Sequence, residues 1–253
     1  MLTPDQRDRL LVVLVSPRNP LNIGAAARAM ANFGFAHLAV VSPYAPHWRE
    51  ARSAVGAPEI LKRARECSTL AEAVADCTLV AGTGTLTHRK PEQPIVLLPA
   101  LAPVVGAALG HGGRVALVFG PEKRGLSRED LSLCHLLVEI PTAPEQPSMN
   151  LGQAVAVCLY DLAWRASRPD LPAAKTMSEP ARDRDAVPAT SGTLDLLAGL
   201  IDETMEAAHY SPADMREANQ HDLRLLLRRL TLTTPDARRA LGLFRRILWR
   251  LRR

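Results

Sequence analysis

The residue types that could carry out a reaction lie in three segments, each of which follows a short apolar run. The first segment holds Asn22 and Arg28, six residues apart in a helical pattern. At about 100° per residue, their side chains are about 120° apart around the helix axis. A guanidinium stays protonated and matches the geometry of a phosphate, so Arg28 suits an anion clamp. The alternatives are a helix N-cap for Asn22 and a solvated side chain for Arg28.

The second segment, residues 120–125, is a tight loop with Glu122 where a strand is predicted to end. This carboxylate is either a binding group or a solvated charge. The third segment runs from Ile140 to Asn150 and contains three prolines that stiffen it. Ser148 or Asn150 can cap the helix that follows. Such a loop can hold a flat heterocycle through backbone hydrogen bonds, and the three segments together predict a nucleotide-like ligand.

None of the three segments contains a His or a Cys that could act as a conventional base. They also do not match the glycine-rich phosphate loops of dinucleotide-binding or P-loop proteins. The four cysteines lie far apart, without the CxxC spacing of metal sites, and are expected to be free thiols. We therefore expect no metal.

Short apolar runs that alternate with helical patterns position these segments. The predicted strands are Leu10–Ser16, Leu38–Ser42, Thr78–Ala81, Val115–Phe119 and Leu136–Ile140, and the predicted helices are 22–33, 70–76, 98–109 and 151–167. This alternation is typical of an open parallel α/β sheet that is covered on both faces. Such sheets bind ligands beyond the carboxyl ends of their strands, where all three segments begin.

A linker and a helical extension follow the predicted sheet. Residues 168–190 carry four prolines and many charges, a composition typical of a linker. Helical spacing resumes over 194–208, 221–232 and 235–248. The predicted organisation is an α/β domain over 1–167, a linker over 168–190 and a helical extension over 191–253.

The net charge of +5 is unevenly distributed along the chain. Residues 216–253 hold eleven arginines and three carboxylates, whereas the remaining residues hold 20 basic and 23 acidic side chains. Arginine offers a planar fork that suits phosphate. The tail is therefore predicted to attract RNA, and the alternative is a solvated charged face.

The composition excludes several classes of protein. With 253 residues, 47% of them hydrophobic, the chain can bury a sizeable core. Its apolar runs are shorter than the roughly 18 residues that a membrane span requires, and its charged first residues show no signal-peptide pattern. We expect a cytoplasmic protein with no membrane association.

Taken together, the three segments are similar to the motifs of a known enzyme family. Asn-Ile-Gly-Ala-Ala-Ala-Arg (22–28), Phe-Gly-Pro-Glu-Lys-Arg-Gly-Leu (119–126) and Ile-Pro…Ser-Met-Asn-Leu (140–151) resemble, in order and spacing, the motifs of the SpoU/TrmH branch of SPOUT RNA 2′-O-ribose methyltransferases. The resemblance covers roughly residues 9–167. The Arg-rich tail looks like the C-terminal helical extension of TrmJ-type tRNA (cytidine/uridine-2′-O-)-methyltransferases.

This resemblance implies a fold, a cofactor and partners. The expected fold is an α/β-knot domain, a parallel sheet with a deep trefoil knot at its carboxyl end, followed by a small α-helical extension. The expected methyl donor is S-adenosyl-L-methionine. The expected partners are a tRNA substrate and a second copy of the chain, in a homodimer with composite active sites.

The resemblance also assigns roles to individual residues. The catalytic set falls on Arg28, Asn22, Glu122, Ser148 and Asn150. The cofactor-binding set falls on Thr83, Gly84, Thr85, Gly120, Ile140, Pro147, Ser148 and Met149. Arg28 would clamp a phosphate of the nucleotide. The clamp would either make the ribose 2′-hydroxyl more acidic or let the proton of that hydroxyl pass to the phosphate. Ser148 and Asn150 would hold the ribose or the loop geometry.

Four functions are open at this point. The first is methylation of tRNA at position 32 of the anticodon loop, and the second is methylation of ribosomal RNA or of the tRNA wobble nucleotide by the same branch. The third is RNA binding without catalysis, and the fourth is nucleotide binding by an unrelated α/β protein. The basic tail argues against the minimal wobble enzymes, and the intact catalytic set argues against a non-catalytic protein.

Overall fold

The structure is a computed structural model that describes residues 2–84, 91–164, 187–210 and 215–253. Its core is a sheet of the strands β1 (Leu10–Val15), β2 (His37–Val41), β3 (Arg65–Cys67), β4 (Leu79–Thr83), β5 (Ile95–Leu97), β6 (Val115–Phe119) and β7 (Leu136–Glu139). The seven strands pair in parallel in the order β3-β2-β1-β6-β4-β7-β5. The predicted parallel α/β sheet is therefore confirmed.

The central strands are apolar without interruption because both of their faces are covered. All residues of β1 and β6 are buried, as expected for inner strands of a parallel sheet. On one face, Val12 and Leu14 join a core that includes Met30 and Leu159. On the other face, Leu11 and Val13 join a second core.

Seven α-helices of the described residues belong to the α/β region, together with short 3-10 helices at Trp48–Glu50 and Leu98–Ala100. The α-helices are α1 (Pro4–Asp8), α2 (Pro20–Phe33), α3 (Pro58–Arg63), α4 (Leu70–Val74), α5 (Leu101–Gly110), α6 (Arg128–Ser132) and α7 (Leu151–Trp164). As predicted, α2 ends at Gly34, whose φ of 74° places it in the left-handed region that favours glycine. A Cβ on Gly152 would lie only 2.7 Å from the Cβ of Ala25. The missing side chain therefore lets α7 and α2 pack closely.

The helical extension consists of α8 (Ser191–Ala207), α9 (Arg216–Arg229) and α10 (Thr234–Leu251), which confirms the three predicted helices. The start of α8 is bonded to the loop before β4, because the N–H groups of Ser191 and Gly192 donate to the carbonyls of Cys77 and Ala75, each at 2.8 Å. Most of the predicted linker, residues 168–186, lies outside the described residues. The peptide N–H of Ala189 donates to the carbonyl of Leu232 at 2.8 Å.

A buried arginine of α9 pairs with α8 inside the extension, close to His135 of the α/β region. The guanidinium of Arg228 pairs with Asp195 at 2.8 Å, and its side chain is 1% exposed. Burial and the nearby charge of Arg228 lower the pKa of His135 to about 3. The neutral ring accepts a hydrogen bond from the peptide N–H of Val80 through Nδ1, at 3.1 Å.

All four cysteines are buried free thiols, as the spacing predicts. Burial, which disfavours the thiolate, raises the pKa of Cys77, Cys134 and Cys158 to about 12. Among the described helices, none has both the length and the apolar composition needed to cross a bilayer.

Candidate active site

The three chemistry-bearing segments meet at one edge of the sheet. Leu14 of β1 and Thr83 of β4 both align with Phe119 of β6, and Thr83 also aligns with Val138 of β7. Because these strands are parallel and adjacent, the loops that follow them leave the sheet side by side. The edge therefore gathers residues that are more than a hundred positions apart in the chain.

The carboxylate of Glu122 is the centre of this edge. It accepts hydrogen bonds from the side-chain N–H of Asn22 at 2.7 Å and from the peptide N–H groups of Arg18 and Asn19 at 3.2 and 3.3 Å. Partial burial would raise the pKa of Glu122, but these hydrogen bonds outweigh it and hold the pKa below its ordinary value. Glu122 is exposed, but its carboxylate is held by three hydrogen bonds within the protein rather than by solvent alone.

Asn22 links Glu122 to the third segment. Because a carboxylate only accepts hydrogen bonds, Asn22 turns its amide nitrogen to Glu122. Its amide oxygen accepts from Nδ2 of Asn150 at 3.0 Å. The oxygen of Asn150 in turn accepts from the peptide N–H groups of Gly152 and Gln153 at 2.9 and 3.3 Å. The chain Glu122–Asn22–Asn150, named here the carboxylate–amide relay, fastens the three segments together.

The relay also decides between the capping alternatives. Asn150 caps α7, as predicted, and takes part in the relay as well. Asn22 does not cap α2, since the N-cap is Asn19, whose side chain accepts from the peptide N–H of Leu21 at 3.0 Å. Asn19 was missed as a member of the site. Its position before Pro20 is the signal that could have identified it, because proline favours the first position of a helix.

Two members of the predicted catalytic set remain outside the relay. Arg28 and Ser148 are both exposed. Among the described residues, neither side chain has a hydrogen bond or an ion pair. The edge thus holds three polar side chains that bind one another, while the exposed guanidinium of Arg28, further along α2, and the exposed hydroxyl of Ser148 are available to a ligand.

The residues predicted to bind the cofactor surround the ends of β4, β6 and β7. The hydroxyl of Thr83 donates to the carbonyl of Val118 at 3.0 Å, and the N–H of Gly84 donates to the carbonyl of Val138 at 3.3 Å. A Cβ on Gly120 would lie 2.3 Å from the peptide nitrogen of Leu126, so only glycine permits this turn. Thr85 lies outside the described residues.

The third segment adds Ile140, Pro147, Ser148 and Met149 to these predicted cofactor-binding residues, and the whole set is named here the wall. Ile140 and Met149 are half-buried, whereas Pro147 and Ser148 are exposed. The hydroxyl of Thr142 donates to the carbonyl of Pro147 at 3.4 Å, which closes the loop on itself. The wall therefore offers backbone groups and apolar side chains rather than ionised ones.

Comparison with known proteins places these features in a family. The profile of the SpoU rRNA methylase family matches residues 9–160. The chain is 43% identical over 164 residues to the tRNA (cytidine/uridine/adenosine-2′-O-)-methyltransferase TrmJ of Pseudomonas aeruginosa, a match that covers 64% of this chain and 63% of that protein. It is 35% identical over 180 residues to the tRNA (cytidine/uridine-2′-O-)-methyltransferase TrmJ of Klebsiella pneumoniae, covering 70% of each. The matched segment thus spans slightly less than two thirds of the Pseudomonas protein.

Solved structures extend the similarity to the helical extension. The crystal structure of TrmJ from Z. mobilis ZM4 superimposes with a TM-score of 0.79 at 29% identity and covers 94% of this chain and 98% of that chain. A probable methyltransferase from Bordetella pertussis Tohama I superimposes with a TM-score of 0.59 at 30% identity, over 65% of this chain and 99% of that chain. The larger of these matches includes most of α8–α10.

Proposed function

Since the chain belongs to the SpoU rRNA methylase family, we propose that it transfers a methyl group from S-adenosylmethionine to a ribose 2′-hydroxyl of tRNA. The observation that carries the proposal is the carboxylate–amide relay. It joins the three motif segments at one edge of the sheet and leaves Arg28 and Ser148 available to a substrate. Position 32 of the anticodon loop is the proposed target, and the cytoplasm is the proposed location.

The wall around the ends of β4, β6 and β7 fits S-adenosylmethionine. Backbone groups near Gly84 and Gly120 suit the hydrogen-bonding edge of an adenine, and Ile140 and Met149 suit its apolar faces. Exposed Pro147 and Ser148 would border the same ligand, and Thr85 is proposed from its motif position. When bound, the cofactor supplies an electrophilic sulfonium methyl. The chain itself must then position and deprotonate the attacking hydroxyl.

Arg28 is proposed to clamp a phosphate next to the target ribose. A guanidinium does not release its proton near neutral pH, so its contribution is positional and electrostatic. Held in this way, the phosphate can accept the proton of the 2′-hydroxyl, or the positive charge can acidify that hydroxyl directly. Ser148 would hold the ribose, while Asn150 and Glu122 fix the loops around it.

The choice of tRNA is supported by the relatives and by the helical extension. The TrmJ proteins to which this chain is similar are named as tRNA methyltransferases. Within the extension, four arginines of residues 216–253 form ion pairs with carboxylates: Arg216, Arg228, Arg239 and Arg252. The other seven have no ion pair to a described residue and are proposed to contact RNA phosphates: Arg224, Arg229, Arg238, Arg245, Arg246, Arg250 and Arg253.

A homodimer is part of the proposal. Apolar side chains are exposed along α2 and α7, where Leu21, Tyr160 and Trp164 are 54%, 56% and 54% exposed. Aromatic residues of this kind are enriched in interfaces between copies of a chain. Sedimentation analysis of the parent protein and of a Trp164→Ser variant tests the proposal. A parent protein that sediments as a monomer would contradict it.

We also propose the trefoil knot and the domain limits 1–167, 168–190 and 191–253. The knot is supported by the strand order, in which β7, the last of the described strands, inserts between β4 and β5. A separate helical unit is supported by its own small cores, one of which also includes Ala189 from the end of the proposed linker.

The proposed activity is tested by supplying the protein with methyl-labelled S-adenosylmethionine and either tRNA or ribosomal RNA. We expect label in tRNA and none in ribosomal RNA. Label in ribosomal RNA alone would assign the second function of the same family. Binding of tRNA without any transfer would identify a non-catalytic protein.

A further inference from the structure

A tyrosine at the carboxyl edge of β2 is unusually exposed for a large aromatic side chain. Tyr44 is 79% exposed. The guanidinium of Arg18 lies over its ring, 5.9 Å from the centroid, and Arg18 is itself exposed. Together they present a π face and a cation to solvent, a pair defined here as the Tyr44–Arg18 platform.

The backbone beneath this platform is fixed. Tyr44 donates its peptide N–H to the carbonyl of Pro17 at 3.2 Å. Ser16 and Ser42 directly follow β1 and β2, and both have a φ of 44°, a left-handed conformation that is uncommon outside glycine. Each serine N–H bonds to the neighbouring strand, Ser16 to Val41 at 2.8 Å and Ser42 to Cys67 at 3.0 Å.

The platform is attached to the relay through one residue. Arg18, whose side chain lies over Tyr44, donates its peptide N–H to Glu122. From Pro20, the first residue of α2, Arg28 lies about 12 Å further along the helix axis, at a rise of about 1.5 Å per residue. A few nucleotides of single-stranded RNA can span about 12 Å, so a strand with a phosphate at Arg28 can reach the start of α2, which Arg18 precedes by two residues.

We propose that the Tyr44–Arg18 platform stacks an unpaired RNA base that neighbours the methylated nucleotide. Aromatic rings and arginine planes are the surfaces on which proteins stack splayed bases. The prolines at positions 43 and 46 restrict the loop, so little conformational entropy is lost when the base binds. The inference rests on the proposed function, because it takes tRNA as the substrate.

The test compares Tyr44→Ala with Tyr44→Phe. The matched control is Tyr210→Ala, which removes a tyrosine that is 73% exposed and lies three residues beyond α8. Affinity for unmodified tRNA is measured by fluorescence anisotropy, S-adenosylmethionine affinity by calorimetry, and kcat and KM by methyl transfer. We expect Tyr44→Ala to raise the Kd and KM for tRNA about tenfold. Its kcat, cofactor affinity and Tm should match those of the parent, and Tyr44→Phe and Tyr210→Ala should bind tRNA within twofold of the parent.

Several results would overturn the platform. One is a Tyr44→Ala variant that binds tRNA as tightly as the parent. Another is a Tyr44→Phe variant as weak as Tyr44→Ala, which would assign a hydrogen bond of the hydroxyl instead of stacking. A third is dissociation of the Tyr44→Ala protein to a smaller species in sedimentation, which would assign a protein contact. A parent protein that binds no tRNA would overturn the proposed function together with this inference.

Discussion

The sheet edge and the helical extension both carry polar groups suited to RNA, but they organise them differently. At the edge, Glu122, Asn22 and Asn150 bind one another, and Arg28 is left without an internal partner among the described residues. In the extension, carboxylates pair directly with some of the arginines. Arg216, for example, bonds to both Asp202 and Glu206.

Because of this difference, the net charge of the tail does not measure how many of its arginines are available to RNA. Residues 216–253 carry a balance of +8, but α9 and α10 pack against α8, which supplies Asp195, Asp202, Glu203 and Glu206. Over the whole extension, residues 191–253, eleven arginines face eight carboxylates, which leaves +3. The net charge of a sequence window therefore overestimates the charge available to RNA, and the unpaired arginines are the better predictor.

The largest effect is expected at the sheet edge. Arg28→Ala should lower methyl transfer by about a thousandfold, since a preorganised charge at the reacting group is lost. Affinity for S-adenosylmethionine should stay within twofold, because Arg28 is assigned to the nucleotide side. Single-turnover methyl transfer and calorimetry measure the two quantities, with Arg63→Ala, an exposed arginine of α3, as the control. Turnover within a few-fold of the parent would show that Arg28 does not act on the substrate.

A smaller effect, on the free energy of unfolding, distinguishes buried from exposed arginines of the extension. Arg228→Met removes one partner of a buried ion pair and leaves Asp195 uncompensated, so the free energy of unfolding should fall by about 3 kcal/mol. Arg229→Ala, at the adjacent exposed position, should change it by less than about 0.5 kcal/mol. Urea denaturation of both variants measures the difference. Equal stabilities of the two variants would mean that the Arg228–Asp195 pair does not stabilise the packing of α9 against α8.

The buried ring of His135, close to Arg228, predicts that the free energy of unfolding depends on pH. His135 stays neutral in the folded state down to a pKa of about 3, against an ordinary value of 6.5. Between these values the unfolded chain binds more protons, so stability falls as the pH falls. The decrease should approach about 1.4 kcal/mol per pH unit. His135→Asn keeps an acceptor for the N–H of Val80 and should remove this contribution, as unfolding measured from pH 6.5 to 4.5 will show. If the free energies of unfolding of the parent and of His135→Asn changed equally with pH, this prediction would be contradicted.

The smallest expected effect concerns the exposed arginines of α10. Arg246→Ala with Arg250→Ala should reduce the dependence of log Kd for tRNA on log salt by about 0.7 to 0.9 per lost phosphate contact. Arg216→Ala, whose side chain is held by two carboxylates, should leave the slope unchanged. Anisotropy titrations at several salt concentrations measure both. An equal slope for all three proteins would move RNA attraction away from α10.

Parts of the fold could be predicted because their signals are local. The runs that form β1 and β6 are continuously apolar, and Gly34 marks the end of α2. In contrast, β3 and β5 are three residues long, and β3 contains the charged pair Arg65 and Glu66. Pairing with β2 and β7 makes them strands, and a short sequence window does not contain that information.

The site shows the same limit. The order and spacing of the motifs select Asn22, Glu122 and Asn150, but each of these residues also has an ordinary structural interpretation. Only the register of β1, β6, β4 and β7 shows that they bond to one another. The contribution of Asn19 and of the backbone at Arg18 depends on the same long-range arrangement.

Mapping the methyl group that the protein adds tests the proposed ribose methylation of tRNA directly. Unfractionated tRNA is incubated with the protein and isotopically labelled S-adenosylmethionine, digested with nucleases, and analysed by mass spectrometry for the labelled atom and its nucleotide. We expect a label on the ribose 2′-oxygen at position 32, and no such label when Arg28→Ala replaces the parent protein. A label on a base, or a ribose label that persists in Arg28→Ala, would contradict this expectation.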